Sequence, residues 1–203
     1  MQDAPAIVSY MTRLFGSSEK KPLHVYLFSH QATENLYDRM FLCLQRFPDI
    51  ELYVLDSVPG LSGVRGFQWT CDLARSYGFT RLHAIPFGDT DMVNTFTESK
   101  AVVGYFQERD IHRYHICSPT FHLPRAFQSM VSIHHRTPRS WAQIYVILGT
   151  ICNWGRDITH SQGTLKDTTS RMISHEYNRT VAYTEKGDLV SFRVCLEYMN
   201  KYW

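Results

Sequence analysis

Short apolar runs alternate with longer amphipathic stretches along most of this chain, and that alternation leaves few folds open to it. Residues 23–29 form the first apolar run, rich in strand formers. Residues 34–47 follow with Leu36, Met40, Leu44 and Phe47 on one helical face, and Pro48 closes the segment. Residues 51–56 read as a second strand, 57–66 as a turn-rich loop containing Pro59 and three glycines, and 67–77 as a helix stopped by Gly78. A third strand at 82–87 leads through Gly88-Asp89 into a helix that runs to about Glu108, with Thr95 or Thr97 as its cap. A fourth strand at 114–118 is followed by a loop at 119–123, a helix from Pro124 to about His134, and a fifth strand at 142–149. Strands separated by helices pair in parallel through right-handed crossovers, so the pattern predicts a Rossmann-like α/β three-layer sandwich with a mostly parallel sheet of about five strands. In such sheets ligands bind beyond the carboxyl ends of the strands.

The pattern changes after the fifth strand. Residues 151–166 are polar and glycine-bearing, a candidate lid over a cleft, and helical character resumes near Thr169. Asp188, just past Gly187, is the expected cap of a last short helix through Tyr198. The division expected is a loosely attached lead-in over 1–20 and a single α/β domain over 21–203 with a helical tail from about 169.

Composition narrows the class. With 44 % hydrophobic and 20 % charged residues in 203, the chain is neither disordered nor a coiled coil. Its net charge of +2 lacks the concentrated basic balance of a dedicated nucleic-acid binder. No run approaches the ~20 apolar residues of a membrane helix, and the start of the chain, with Asp3, has no apolar signal core. A soluble, cytoplasmic protein without membrane insertion is the expectation. The cysteines, Cys43, Cys71, Cys117, Cys152 and Cys195, are odd in number and far apart, as suits small buried hydrophobes rather than a disulfide framework or a zinc site.

The strand ends are rich in polar and glycine residues: Ser29-His30, Asp56-Ser57 leading into Gly60-Leu61-Ser62-Gly63, Gly88-Asp89-Thr90-Asp91, and Ser118-Pro119-Thr120-Phe121-His122. A parallel sheet brings these loops to one rim. The glycine-bearing stretch 60–66 can cradle an anion on its backbone N–H groups, or be only a tight turn; it is neither GxxxxGK[ST] nor GxGxxG. His122 and Arg125 at a helix entry pair a proton donor with a forked cation, against the plainer reading of a loop cap and a surface ion pair. Glu98 is open to three roles, as general base, as acceptor for a ribose hydroxyl and as partner of Arg125, while Asn94, Thr95, Thr97 and Glu98 also fit ordinary capping. Asp89 and Asp91 are turn residues before they are cation ligands, so no metal site is assigned. His112-x-x-His115 and His134-His135 lack a metalloprotease pattern, and no GxSxG elbow is present.

From Phe28 to about Arg136 the chain resembles the DUF218 family, the YdcF/SanA/ElyC-like proteins. The resemblance rests on Arg39 in the first helix of that span, on Gly60-Leu61-Ser62-Gly63, on Asn94-Thr95-Phe96-Thr97-Glu98, and above all on the run from Cys117 to Ala126, which is similar to the family's TSPYHMPRA signature. Val64 stands where many members carry an acidic residue, Ser99 where an Asn often follows the Glu, and Phe28-Ser29-His30 replaces the usual first-strand glycines. The resemblance implies one cleft at the strand carboxyl ends for a small anionic, phosphorylated or nucleotide-like molecule, with S-adenosylmethionine, bound by one member, as a candidate cofactor. In that cleft Gly60, Ser62 and Gly63 are expected to supply backbone donors, and His122 and Arg125 to hold the charged group with Arg39 behind them. Asn94 and Glu98 would orient a hydroxyl, an amine or a water, with Thr95 and Ser118 alongside, and His122 and Glu98 are the candidate acid/base pair for phosphoryl- or S-adenosylmethionine-related transfer or hydrolysis. The alternative is a metabolite sensor or protein-interaction module without turnover.

Overall fold

The computed structural model describes residues 4–16, 20–28, 34–56, 65–87, 94–137, 141–149, 155, 157–159 and 166–203. Five strands, β1 (His24–Leu27), β2 (Glu51–Asp56), β3 (Leu82–Pro86), β4 (Arg113–Ser118) and β5 (Gln143–Leu148), form one sheet in the order β3-β2-β1-β4-β5. Every pairing is parallel, with Val25 level with Leu52 on one side and His115 on the other. The Rossmann-like α/β architecture read from the alternation is therefore the fold of this chain. Its strands are apolar throughout because both faces are covered.

Alternation along β1 separates the two layers. Val25 and Leu27 pack with Leu36, Tyr37, Met40, Phe41 and Leu44 of α2 (Glu34–Leu44) and with Ala74 of α3 (Phe67–Ser76). Tyr26 and Phe28 face the other way, onto α4 (Thr95–Glu108) and α5 (Leu123–Arg136) through Val102, Phe106, Phe127 and Met130. Helix α2 ends three residues short of the expected Phe47, since the proline at 48 disfavours helical geometry at the residue before it. Helix α3 closes on Gly78 at φ 92°, with Gly78 N–H donating to Arg75 O and Phe79 N–H to Ala74 O.

Three parts differ from the sequence reading. Within the expected lead-in, Ala4–Phe15 forms helix α1, whose Tyr10 and Leu14 are fully buried among Phe127, Phe192, Cys195 and Met199. The Tyr10 hydroxyl donates to Pro124 O at 2.7 Å, so this helix is tied to the start of α5 rather than loosely attached. The stretch at 151–166 contains β6 (Asp157–Thr159), which pairs antiparallel with β7 (Lys166–Thr168) as a small ribbon, and residues 150–154, 156 and 160–165 lie outside the described residues. The last helix, α7 (Phe192–Tyr202), is capped by Ser191, whose hydroxyl accepts from Val194 N–H; Asp188 instead belongs to the wrap that ends α6 (Thr169–Glu185), its N–H donating to Tyr183 O.

The docking of α1 has a measurable consequence. Tyr10→Ala removes a fully buried ring and its anchor on α5, and is expected to cost about 3–5 kcal/mol in urea unfolding. A cost below about 1 kcal/mol would mean that α1 is a dispensable appendage.

Candidate functional site

The strand order reverses between β1 and β4: the chain builds outward from β1 through β2 to β3, then returns to the other side of β1 for β4 and β5. At such a switch the loops leaving the two strands diverge and open a crevice beyond their carboxyl ends. Phe28 lies on one side of it, its N–H bonded to Cys117 O, and Ser118 ends the strand on the other. The end of β5 presses close here. A Cβ on Gly149 would meet Ser118 O and the Met40 side chain at 2.7 Å each, so only glycine fits beside Ser118. The Ser118 hydroxyl is fully buried and has no hydrogen-bond partner among the described residues.

From Ser118 the chain turns at once into α5. Pro119 O accepts from the N–H groups of His122 and Leu123, and Pro124 supplies a fixed φ at the first turn. That turn presents the His122 imidazole and the Arg125 guanidinium together, both buried, at the positive end of the α5 dipole. The anion that meets them belongs to the protein. Helix α6 packs Met172 with the α2 layer and Tyr177 and Val181 with the α4–α5 layer, so its middle crosses the carboxyl edge of the sheet and delivers Glu176 there. Glu176 Oε2 accepts from Arg125 Nε at 2.6 Å and lies 3.0 Å from His122 Nδ1, while Oε1 takes Arg179 Nη1 at 3.1 Å.

Burial alone would push the Glu176 carboxyl up, but the hydrogen bonds from His122 and Arg125 and the charge of Arg125 outweigh it and hold the group well below the ordinary carboxylate range. As an ionised carboxylate it only accepts, so His122 Nδ1 carries the proton. The 3.4 Å approach of Arg125 Nη2 to Nδ1 then joins two donors and is packing rather than a bond.

Thr95 and Glu98 come to the same place from the first turn of α4. Asn94 caps that helix, accepting from the N–H groups of Phe96 and Thr97, and Thr97 completes a capping box; neither Thr95 nor Thr97 is the cap. The Thr95 hydroxyl is thereby available to accept from Arg125 Nη1 at 2.7 Å. Glu98 is fully buried, with Tyr26 donating to its Oε1 at 2.5 Å. Burial raises its pKa well above the usual range, against the opposing pull of Tyr26 and of the Arg125 charge. The surroundings push the two buried carboxyls in opposite directions, Glu176 down and Glu98 up, with Arg125 acting on both. A cavity of about 410 Å³ reaches this network past Asn94, Thr95, Phe96, Arg125, Tyr183 and Asp188.

The structure thus brings Thr95, Glu98, His122 and Arg125 into one neighbourhood, with Ser118 at the strand end beneath the turn into α5. Asn94 is an exposed cap at its border. Arg39, half-buried on α2, lies in the helix layer on the opposite face of the sheet from α4 and α5. Gly60, Ser62 and Gly63 lie outside the described residues, as do Asp89, Asp91 and Cys152. Cys43, Cys71, Cys117 and Cys195 are free thiols. Among the described residues no group of three or more His, Cys, Asp or Glu is placed to hold a metal ion, and no helix is long and apolar enough to cross a membrane.

Glu176 is the member that the sequence reading did not assign. Its signal was present: Met172, Glu176 and Thr180 recur at i, i+4 and i+8 on the buried stripe of α6, and a carboxylate on such a stripe requires a cation. The fold and the paired buried carboxyls define a parallel α/β domain with a polar site at its topological switch. Compared with protein-family models, curated proteins and solved structures, the chain gives no match.

Proposed function

We propose that this chain is a small-molecule enzyme or binding domain that takes an anionic, phosphorylated or nucleotide-like ligand at the carboxyl edge of its sheet, as members of the DUF218 family are expected to do. The observation that carries the reading is the buried Glu176–His122 contact, 3.0 Å at Nδ1. A carboxylate that fixes the imidazole tautomer is the arrangement by which histidine serves as general base and then general acid. Glu98, whose pKa burial raises, is the second carboxyl of the site, and the buried hydroxyl of Ser118 offers a polar contact for the ligand. S-adenosylmethionine fits the proposal as a ligand with a carboxylate and ribose hydroxyls, and a cytoplasmic setting accords with the free thiols.

A sensor without turnover is the second reading, and one observation favours it. Glu176 already occupies Arg125, so the guanidinium has less charge to offer a transition state than an unpaired one. Thermal-shift measurements with S-adenosylmethionine, nucleotides, sugar phosphates and pyrophosphate, on the wild type and on His122→Gln, test the site. A ligand present at 100 times its Kd stabilises by about 2.7 kcal/mol. The expected result is a shift in the wild type that His122→Gln reduces or abolishes; shifts equal in both proteins would move the ligand elsewhere. For a ligand so found, Glu98→Gln separates the readings: an enzyme loses turnover while binding survives, and a sensor has no turnover to lose.

A further inference from the structure

A cleft of about 560 Å³ opens at the opposite, amino edge of the sheet, between the starts of β1 and β4. Its charge is one-sided. Lys21, Arg109 and Arg113 line it with a single carboxylate, Asp110, leaving a net of +2 before any histidine is counted. Asp110 is itself engaged by His112 Nε2 at 2.7 Å, and His24 by Glu51 and the Tyr53 hydroxyl. Arg109 lies against the Tyr105 ring, with its Nη1 3.7 Å from Glu108 Oε2, and Arg113 lies against the Tyr145 ring. No carboxylate among the described residues is within ion-pair distance of Lys21 or Arg113.

The floor of the cleft holds a second observation. His115 is 2 % exposed, and its Nε2 lies 3.1 Å from Lys20 O. A carbonyl oxygen only accepts, so Nε2 carries the proton. Burial lowers the pKa of this ring to about 4, and it is neutral at physiological pH. Nδ1 is therefore a lone-pair acceptor, buried and without a hydrogen-bond partner among the described residues. A buried acceptor left unmatched is costly, and it marks a place where an N–H or O–H group belongs. Leu23, 53 % exposed, and Ile111 add an apolar wall.

We propose that this amino-edge cleft is a second ligand site, for a phosphate monoester whose carbon portion carries hydroxyl or amino donors. Lys21, Arg109 and Arg113 hold the phosphate dianion, His115 Nδ1 accepts from the donor, and the carbon portion lies along Leu23 and Ile111. A dianion matches the net charge of the lining, and the cleft volume suits a mononucleotide or sugar phosphate. The proposal stands independently of the carboxyl-edge site, which lies at the other end of the same strands.

Adenosine 5′-monophosphate is the probe, followed in the full chain through the imidazole nitrogen resonances of His115 and His122 separately. The expected result is a saturable movement of the His115 Nδ1 resonance, with a midpoint that Lys21→Ala and Arg113→Ala each raise about tenfold or more. His122→Gln is expected to leave that midpoint unchanged, whatever becomes of the carboxyl-edge reading. Lys21 is exposed, so its variant keeps the comparison valid if Arg113→Ala unfolds. A His115 resonance unmoved by millimolar nucleotide would overturn the proposal, as would binding that both variants leave intact. Adenosine acting as well as its monophosphate would overturn it too, as would a single-stranded RNA that binds where the mononucleotide does not.

Discussion

Glu176→Leu is expected to be among the most damaging single substitutions in this protein. It leaves the buried Arg125 guanidinium without its anion and His122 Nδ1 without its acceptor, while preserving side-chain bulk. Removing one partner of a buried pair typically costs about 3–5 kcal/mol, because the surviving charge stays desolvated. The complementary change is informative: Glu176→Leu combined with Arg125→Leu removes both charges, and is expected to recover much of the loss. A double-mutant cycle by urea unfolding measures this, and additive losses would mean that the two side chains do not act as a pair. The same pair gives the fold an acid limit. The folded Glu176 pKa lies below its unfolded value, so its contribution is complete above about pH 4.3 and is lost as pH falls from there toward the folded pKa. Acid unfolding of the wild type should therefore be steeper than that of Glu176→Leu.

Glu98→Gln is expected to act in the other direction. The folded Glu98 pKa lies above the unfolded one, so the folded protein keeps a proton that the unfolded chain releases near pH 4.3. The unfolded state then binds fewer protons, and Glu98 reduces stability by up to about 1.4 kcal/mol per pH unit from there until the folded group also titrates. Glutamine keeps the shape and an acceptor oxygen for the Tyr26 hydroxyl without the titration. The melting temperature of Glu98→Gln should exceed that of the wild type at pH 8 by several degrees, and the two should converge near pH 4. Equal differences at both pH values would show that Glu98 is ionised in the folded protein.

The sheet was legible because strands covered on both faces must be apolar runs, and helices between them must be amphipathic. Element ends followed from local chemistry where it was strong, as at Pro48 and Gly78, and shifted where a neighbour intervened: Asn94 outcompetes Thr95 and Thr97 as a cap because its side chain reaches two N–H groups. Helix α1 left a readable trace in Ile7, Tyr10, Met11 and Leu14, at i, i+3, i+4 and i+7, but its partner α7 is nearly the whole chain away. The ribbon β6–β7 left almost none, since two three-residue strands whose one apolar residue is Ile158 carry no apolar run. The site was half legible. His122, Arg125, Thr95 and Glu98 sit where strand and helix ends put them, whereas the anion that neutralises Arg125 comes from a helix 51 residues further along. A sequence marks such a carboxylate only by its place on a buried stripe.

The proposed ligand site at the carboxyl edge of the sheet turns on Glu176 holding the proton at His122 Nδ1. The most direct measurement is the long-range proton–nitrogen correlation spectrum of the histidine rings, recorded for the wild type and Glu176→Gln, alone and with the strongest ligand from the thermal-shift series. The expected result is a His122 ring protonated at Nδ1 in the wild type, a tautomer no longer held in Glu176→Gln, and a wild-type His122 ring-nitrogen resonance that moves as ligand is added. A wild-type ring protonated at Nε2 alone, or a ligand that binds without moving any His122 resonance, would contradict it.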